Sequence, residues 1–248
     1  MKAFLTSLFA LALLQASAQI TTGKPTIDIE KPDSVILKNP SSTSLYLGAG
    51  SNNSFRKLVP NDEPYGKPLG YREDETNIKI WSFELGLRNQ INSYLQFDGG
   101  LSLERFGETY TSTPQAQTGD STYSYINHYS YISIPLQLYG TIGTDFKLYG
   151  GAGLQPGIVG GFNREITITD SIGNATTEEV NQPDQLSGFI LNARFSAGLQ
   201  WKWSKYAGVY VNYTYQLGLT STLEKQDPYK HYPRAGGVRF GLYFIIPE

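Results

Sequence analysis

The sequence predicts an all-β fold, an eight-stranded antiparallel up-and-down transmembrane β-barrel, from three observations. Eight segments alternate apolar and polar residues with period two. The connections between them alternate short and long. Aromatic and small residues abound, with 18 tyrosines and 26 glycines among 248 residues, as suits strands, membrane interfaces and crowded barrel walls. Period two puts residues i, i+2 and i+4 on one face of a strand, whereas a helix at about 100° per residue scatters them around its circumference.

The first segment runs from about Ser44 to Ser51, with Leu45, Leu47 and Ala49 on one face. In the second, Trp81, Phe83, Leu85 and Leu87 oppose Ser82, Glu84, Gly86 and Arg88. The third sets Leu95, Phe97, Leu101 and Leu103 against Gln96, Asp98, Gly100, Ser102 and Glu104. The fourth aligns Ile132, Ile134, Leu136 and Leu138, and the fifth Phe146, Leu148, Ala152, Leu154 and Ile158. The sixth is the purest, with Phe189, Leu191, Ala193, Phe195, Ala197, Leu199, Trp201 and Trp203 opposite Asn192, Arg194, Ser196, Gly198, Gln200 and Lys202. The seventh repeats it, with Val209, Val211, Tyr213, Tyr215, Leu217 and Leu219 facing away from Tyr210, Asn212, Thr214 and Gln216. The eighth carries Val238, Phe240, Leu242, Phe244 and Ile246.

Short links fall near residues 89–93, 142–145 and 204–206, and long polar ones near 52–76, 108–122, 169–186 and 221–234. Tight periplasmic turns and longer extracellular loops have this arrangement, and an even strand count places both termini in the periplasm. Ahead of the barrel (44–248), residues 1–18 read as a cleaved signal peptide: Met1-Lys2, an apolar run from Ala3 to Leu14, then Ala16-Ser17-Ala18. That run is shorter than the roughly 20 residues a membrane helix needs. Residues 19–43, broken by Pro25, Pro32 and Pro40, read as an extended periplasmic leader. The absence of cysteine excludes a disulfide scaffold, thiol-ligated metal and a lipidated cysteine anchor. A net charge of -2 gives no electrostatic reason to expect nucleic acid as a partner. The mean hydropathy of -0.31 does not oppose a membrane location, because alternation cancels in the average.

Alternation alone leaves open which face points out. A soluble lipocalin-like ligand-binding barrel has its apolar face inside. Here the polar face is rich in Gly, Ser, Asn and Gln, which fit a crowded lumen, and Trp201 and Trp203 end an apolar face as an interfacial girdle does. Outer-membrane lipid is therefore the expected surrounding.

Two resemblances extend this reading. Arg239-Phe240-Gly241-Leu242-Tyr243-Phe244-Ile245-Ile246 resembles the β-signal read by the barrel-assembly machinery, with Arg239, Gly241, Phe244 and Ile246 at its defining positions; Pro247-Glu248 follow where many such proteins end on an aromatic. Tyr131-Ile132-Ser133-Ile134-Pro135-Leu136 and the Gly-rich run from Leu148 to Gly157 are similar to the PorT-like outer-membrane barrels, over roughly residues 44–248. The resemblance implies an outer-membrane barrel; the expected role is structural, surface-interaction or assembly- and secretion-related. Pro135, in a strand interior, is expected to mark a bulge.

Few residues suggest chemistry. His128-Tyr129-Ser130 is similar in spacing to the lipid A deacylases, and both residues share the lipid-facing parity of the fourth segment. A lipid A or phospholipid hydrolase needs a carboxylate to orient that histidine; the expected region is Leu138-Tyr139-Gly140-Thr141, and Glu165 is the one substitute. His231 reads as loop polarity. Glu84, Arg88, Asp98, Glu104, Arg194, Lys202 and Arg239 point inward and are expected to pair as a lumen charge network, since a buried charge needs a partner. Asp62, Glu63, Glu73, Asp74 and Glu75 lack calcium-loop spacing. Gly150-Gly151-Ala152-Gly153 lies in a strand without the helix or Lys-Ser/Thr of a phosphate loop. The sequence thus predicts a non-enzymatic barrel without cofactor or metal, displaying polar loops to an extracellular or periplasmic partner it does not identify.

Overall fold

The computed structural model describes residues 42–60, 75–111, 122–170, 172–181, 186–222 and 229–247. They form strands β1 (Ser42–Pro60), β2 (Thr76–Gln90), β3 (Leu95–Thr111), β4 (Thr122–Ser133), β5 (Leu136–Gly143), β6 (Phe146–Thr169), β7 (Ala175–Val180), β8 (Phe189–Lys202), β9 (Ala207–Gly218) and β10 (Tyr229–Ile245). All pairings are antiparallel. They run from β1 through β2, β3, β4 with β5, β6, β8 and β9 to β10, which pairs back onto β1. The ring is closed and has eight wall positions, because β4 and β5 together occupy one, both lying between β3 and β6. β7 stands outside it, paired with the far end of β6.

The break at Ile134-Pro135 is not a bulge. Ser133 pairs with Ser102 and Gly157, and Leu136 with Gly99 and Leu154, so the register is the same on both sides. Proline merely removes a donor from the ladder, while its carbonyl still accepts from the Gly100 N–H at 3.2 Å. The extra residue lies on β6 instead: Ser130 pairs with Gly161 and Tyr131 with Val159, leaving Gly160 over.

The strands also outrun their expected bounds. Residues 52–60, 108–111 and 229–234, expected in long connections, are strand, and β7 lies inside the connection near 169–186. The short links are as expected, each closed by its own chemistry. The Asn92 carboxamide oxygen accepts from the Tyr94 and Leu95 N–H groups at 2.8 and 3.0 Å, and Ser204 Oγ from those of Tyr206 and Ala207 at 3.2 and 3.0 Å. Gly143 turns at φ 112°, where a Cβ would meet the Phe146 carbonyl.

The two faces are inside-out relative to a soluble barrel. Phe83, Leu85, Phe146, Phe240 and Trp201 are about half exposed on the outer surface, while Glu104 and Arg239 inside are 0 % exposed. A lipocalin-like carrier has the opposite distribution, and an apolar exterior over a polar lumen is that of a transmembrane barrel. The signal peptide and most of the leader lie outside the described residues, as do Asp62, Glu63, Glu73 and Asp74.

Candidate functional site

Strand alternation sends every second side chain of the eight walls into a lumen just wide enough to be filled by them. At mid-height, Glu84 of β2, Glu104 of β3, Arg194 of β8 and Arg239 of β10 meet. Arg194 Nη2 donates to Glu84 Oε2 at 2.5 Å, and Arg239 Nη1 to the same oxygen at 3.0 Å. Arg239 Nη2 donates to both Glu104 oxygens at 2.9 and 2.8 Å. Arg239 thus bridges two carboxylates that would otherwise repel. Tyr210 adds a hydroxyl donor to Glu84 Oε1 at 3.0 Å. Tyr210 reaches there by lying over Gly241, its register partner on β10, and Gly48, the partner of Gly241 on β1. A Cβ on Gly48 would fall 2.1 Å from the Tyr210 hydroxyl, so the close approach requires glycine.

Toward the short turns, Arg88 pairs with Asp98, Nη2 to Oδ2 at 2.7 Å. Its guanidinium carbon lies 4.7 Å from the ring centre of Tyr210 and 5.2 Å from that of Tyr46, within cation–π range. Gln96 donates to Asp98 Oδ1 at 3.1 Å, and Gln200 to Gln96 at 3.0 Å. Lys202, grouped with these charges by parity, joins none of them. It is half-buried nearer the mouth and makes no ion pair among the described residues.

Toward the long connections lies a second cluster that strand parity did not reveal. Arg56 of β1 pairs with Glu75 and, at 3.2 Å, with Glu108 of β3. Glu108 Oε1 also accepts from Asn127 at 2.5 Å and Tyr129 at 2.8 Å, and Arg164 donates to Asn127 at 2.7 Å. His231 is not loop polarity. It sits on β10, 1 % exposed, with Nδ1 on Thr222, its ring 5.2 Å from that of Tyr129, and Nε2 3.9 Å from Glu108. The arrangement Thr222–His231–Glu108 has the members of a nucleophile, base and carboxylate, but all three are sealed from solvent at 2 % exposure or less. One sequence signal was available: Glu108 follows Glu104 at the same parity as Phe106, so β3 continues beyond its apolar stretch.

His128 and Ser130 lie on the outer face of β4, opposite Asn163 and Gly161 of β6. No hydrogen bond joins them, since residues i and i+2 of a strand stand roughly 6.6 Å apart. Glu165 lies opposite Ile126, one same-face step beyond His128, and pairs with neither residue. The spacing is present without the contacts a hydrolase needs. Among the β-signal residues, Arg239 is the bridging lumen cation, Gly241 underlies Tyr210, and Phe244 and Ile246 face outward. Among the described residues no group of three or more metal-ligating side chains converges.

These features define a class: a closed, inside-out eight-stranded barrel with an ion-paired interior. No family model matches the chain, and no curated protein matches its sequence. Solved structures match the chain at low similarity. The attachment invasion locus protein Ail of Yersinia pestis is 14 % identical, with 83 % of this chain and 99 % of that chain covered and a TM-score of 0.39. For Neisserial surface protein A the values are 12 %, 82 %, 96 % and 0.41. For the outer membrane protein OprG of Pseudomonas aeruginosa they are 11 %, 85 %, 98 % and 0.42. The fold assignment rests on the strand pairing itself.

Proposed function

We propose that this chain is an integral, non-enzymatic outer-membrane barrel that carries a surface-interaction or assembly platform above the bilayer. One observation carries this reading: an apolar belt of membrane height encircles an ion-paired lumen. On the outer face of β2 and on to Ile91 just past its end, every position from Trp81 is apolar except Asn89, and Lys79 lies just beyond at the other end. Ten residues at about 3.3 Å each, tilted about 40°, reach roughly 25 Å along the axis, the height of a transmembrane barrel's apolar band. Tyr94, Phe146, Trp201, Trp203 and Tyr206, all exposed, cluster at the short-turn end as an interfacial girdle. The filled mid-barrel layer opposes solute passage. Above the belt, β4, β6 and β7 continue as a three-stranded sheet from Thr122, Thr169 and Ala175, and this platform is the surface offered to a partner.

Cell fractionation with gel migration tests the reading. The chain is expected in the washed membrane fraction, released only by detergent, and migrating differently before and after boiling. Recovery in the soluble fraction without detergent overturns it.

A further inference from the structure

We propose that the short-turn mouth of the barrel is a binding site for a compact oxyanion of phosphate type. A cavity of about 310 Å³ opens there, lined at its buried end by Arg88, Gln96 and Gln200 and toward its rim by Lys147, Lys202 and Lys205. It is a built site rather than a patch of surface lysines. Arg88 is 4 % exposed, and its Nη1 has no hydrogen-bond partner among the described residues although the rest of the guanidinium is engaged by Asp98. Lys147 Nζ is held by Gln90 Oε1 at 2.8 Å.

The charge balance selects the ligand. Asp98 offsets Arg88, leaving Lys147, Lys202 and Lys205 against one lining carboxylate, Asp145, an excess of 3 − 1 = 2 positive charges. Neither Lys147 nor Lys202 makes an ion pair among the described residues, and Lys205 lies over the Tyr206 ring at 4.8 Å. A phosphate monoester carries about −1.5 to −2 at neutral pH, and a guanidinium with flanking ammonium groups offers the charge-assisted donors it prefers. The donors come from the ends of β2, β6 and β8, which the ring pairing fixes together, so the site is organised before any ligand arrives. The source is either a soluble phosphate or a lipid headgroup entering from the rim.

The test uses the full barrel in an uncharged, phosphate-free detergent, with boiled and unboiled migration first establishing that each variant is folded. One arm titrates inorganic phosphate; the other titrates phosphatidic acid, whose headgroup is a phosphate monoester, into the micelles. The expected result in at least one arm is saturable one-to-one binding, weakened at least tenfold by the double variant Lys147→Gln/Lys202→Gln and by raising salt from 50 to 500 mM. Binding in the phosphate arm assigns a soluble source, and in the lipid arm alone a headgroup. Both substitutions lie outside the ion-paired layers, so folding is retained. Equal titrations of wild type and folded double variant in both arms overturn the proposal.

Discussion

Two polar clusters share one lumen, the first level with the apolar belt and the second beyond it, and they bury charge differently. At mid-height the carboxylates are met by guanidinium groups. Both Glu104 oxygens accept from Arg239, with Gln216 beside them, and Arg239 also serves Glu84. Beyond the belt, Glu108 is surrounded by mixed donors: Arg56, Asn127 and Tyr129, with His231 close by. In the first arrangement Arg239 is the one cation paired with Glu104 among the described residues, while Glu84 has both Arg194 and Arg239. The second is redundant and tolerates the loss of one. A buried ion pair contributes little net stability against an apolar replacement, but removing one partner from it costs about 3–5 kcal/mol.

That contrast yields the largest expected effect. Arg239→Met leaves Glu104 buried without its paired guanidinium and is expected to destabilise the folded barrel by about 3–5 kcal/mol. Arg56→Met leaves Glu108 with Asn127 and Tyr129 and is expected to cost about 1–3 kcal/mol. Urea unfolding in lipid vesicles, followed through the outward-facing Trp81, Trp201 and Trp203, measures both. A larger loss from Arg56→Met than from Arg239→Met breaks the comparison.

The same boundary explains what was legible in the sequence. Within the belt the outer face is apolar, so parity assigned Glu84, Arg88, Asp98, Glu104, Arg194 and Arg239 to the interior residue by residue. Beyond it both faces are polar, the alternation loses contrast, and Arg56, Glu75, Glu108 and His231 read as loop. Lys202 shows the converse limit: parity gives a direction but not a height, and this lysine is near the mouth. Pro135 was legible as an irregularity, but the register shift lies at Gly160 on the neighbouring strand, which no local pattern announces. His128 and Ser130 had the right spacing and the right face, yet the strand's own rise separates them.

Backbone packing gives a second, smaller contrast between the regions. On Gly241, within the belt, a Cβ would lie 2.2 Å from the Leu47 carbonyl oxygen and 2.6 Å from the Tyr210 ring. Gly161, at the bulge beyond the belt, has no atom of the described residues within 4 Å of that position. Gly241→Ala is expected to cost about 1–3 kcal/mol through overpacking, and Gly161→Ala to stay within about 0.5 kcal/mol. The same vesicle assay decides between them. Because Gly241 also occupies a β-signal position, the yield of folded barrel on expression is expected to fall with it. Equal stabilities would mean that the tyrosine–glycine rows do not set the wall spacing.

The smallest effect is expected farthest from the lumen, at the hairpin joining β6 to β7. Asp170 accepts from the Asn174 N–H at 2.8 Å and the Ile172 N–H at 3.0 Å, while Gly173 takes a φ of 87° to complete the turn. Those backbone donors, Asn174 first, hold the fully exposed Asp170 carboxyl below its ordinary value. A depressed carboxyl stabilises the turn above the ordinary carboxylate range and ceases to do so as pH falls through its folded value. At neutral pH, Asp170→Ala is therefore expected to speed amide exchange across residues 175–180 and leave the urea midpoint unchanged. β7 pairs only with β6 among the described residues, so opening this hairpin breaks no ring contact, and local and global stability separate there. A midpoint shift as large as that of Arg56→Met would show instead that the platform is coupled to the cluster beneath it, through Arg164, which pairs with Val180 of β7 and donates to Asn127 in the lumen.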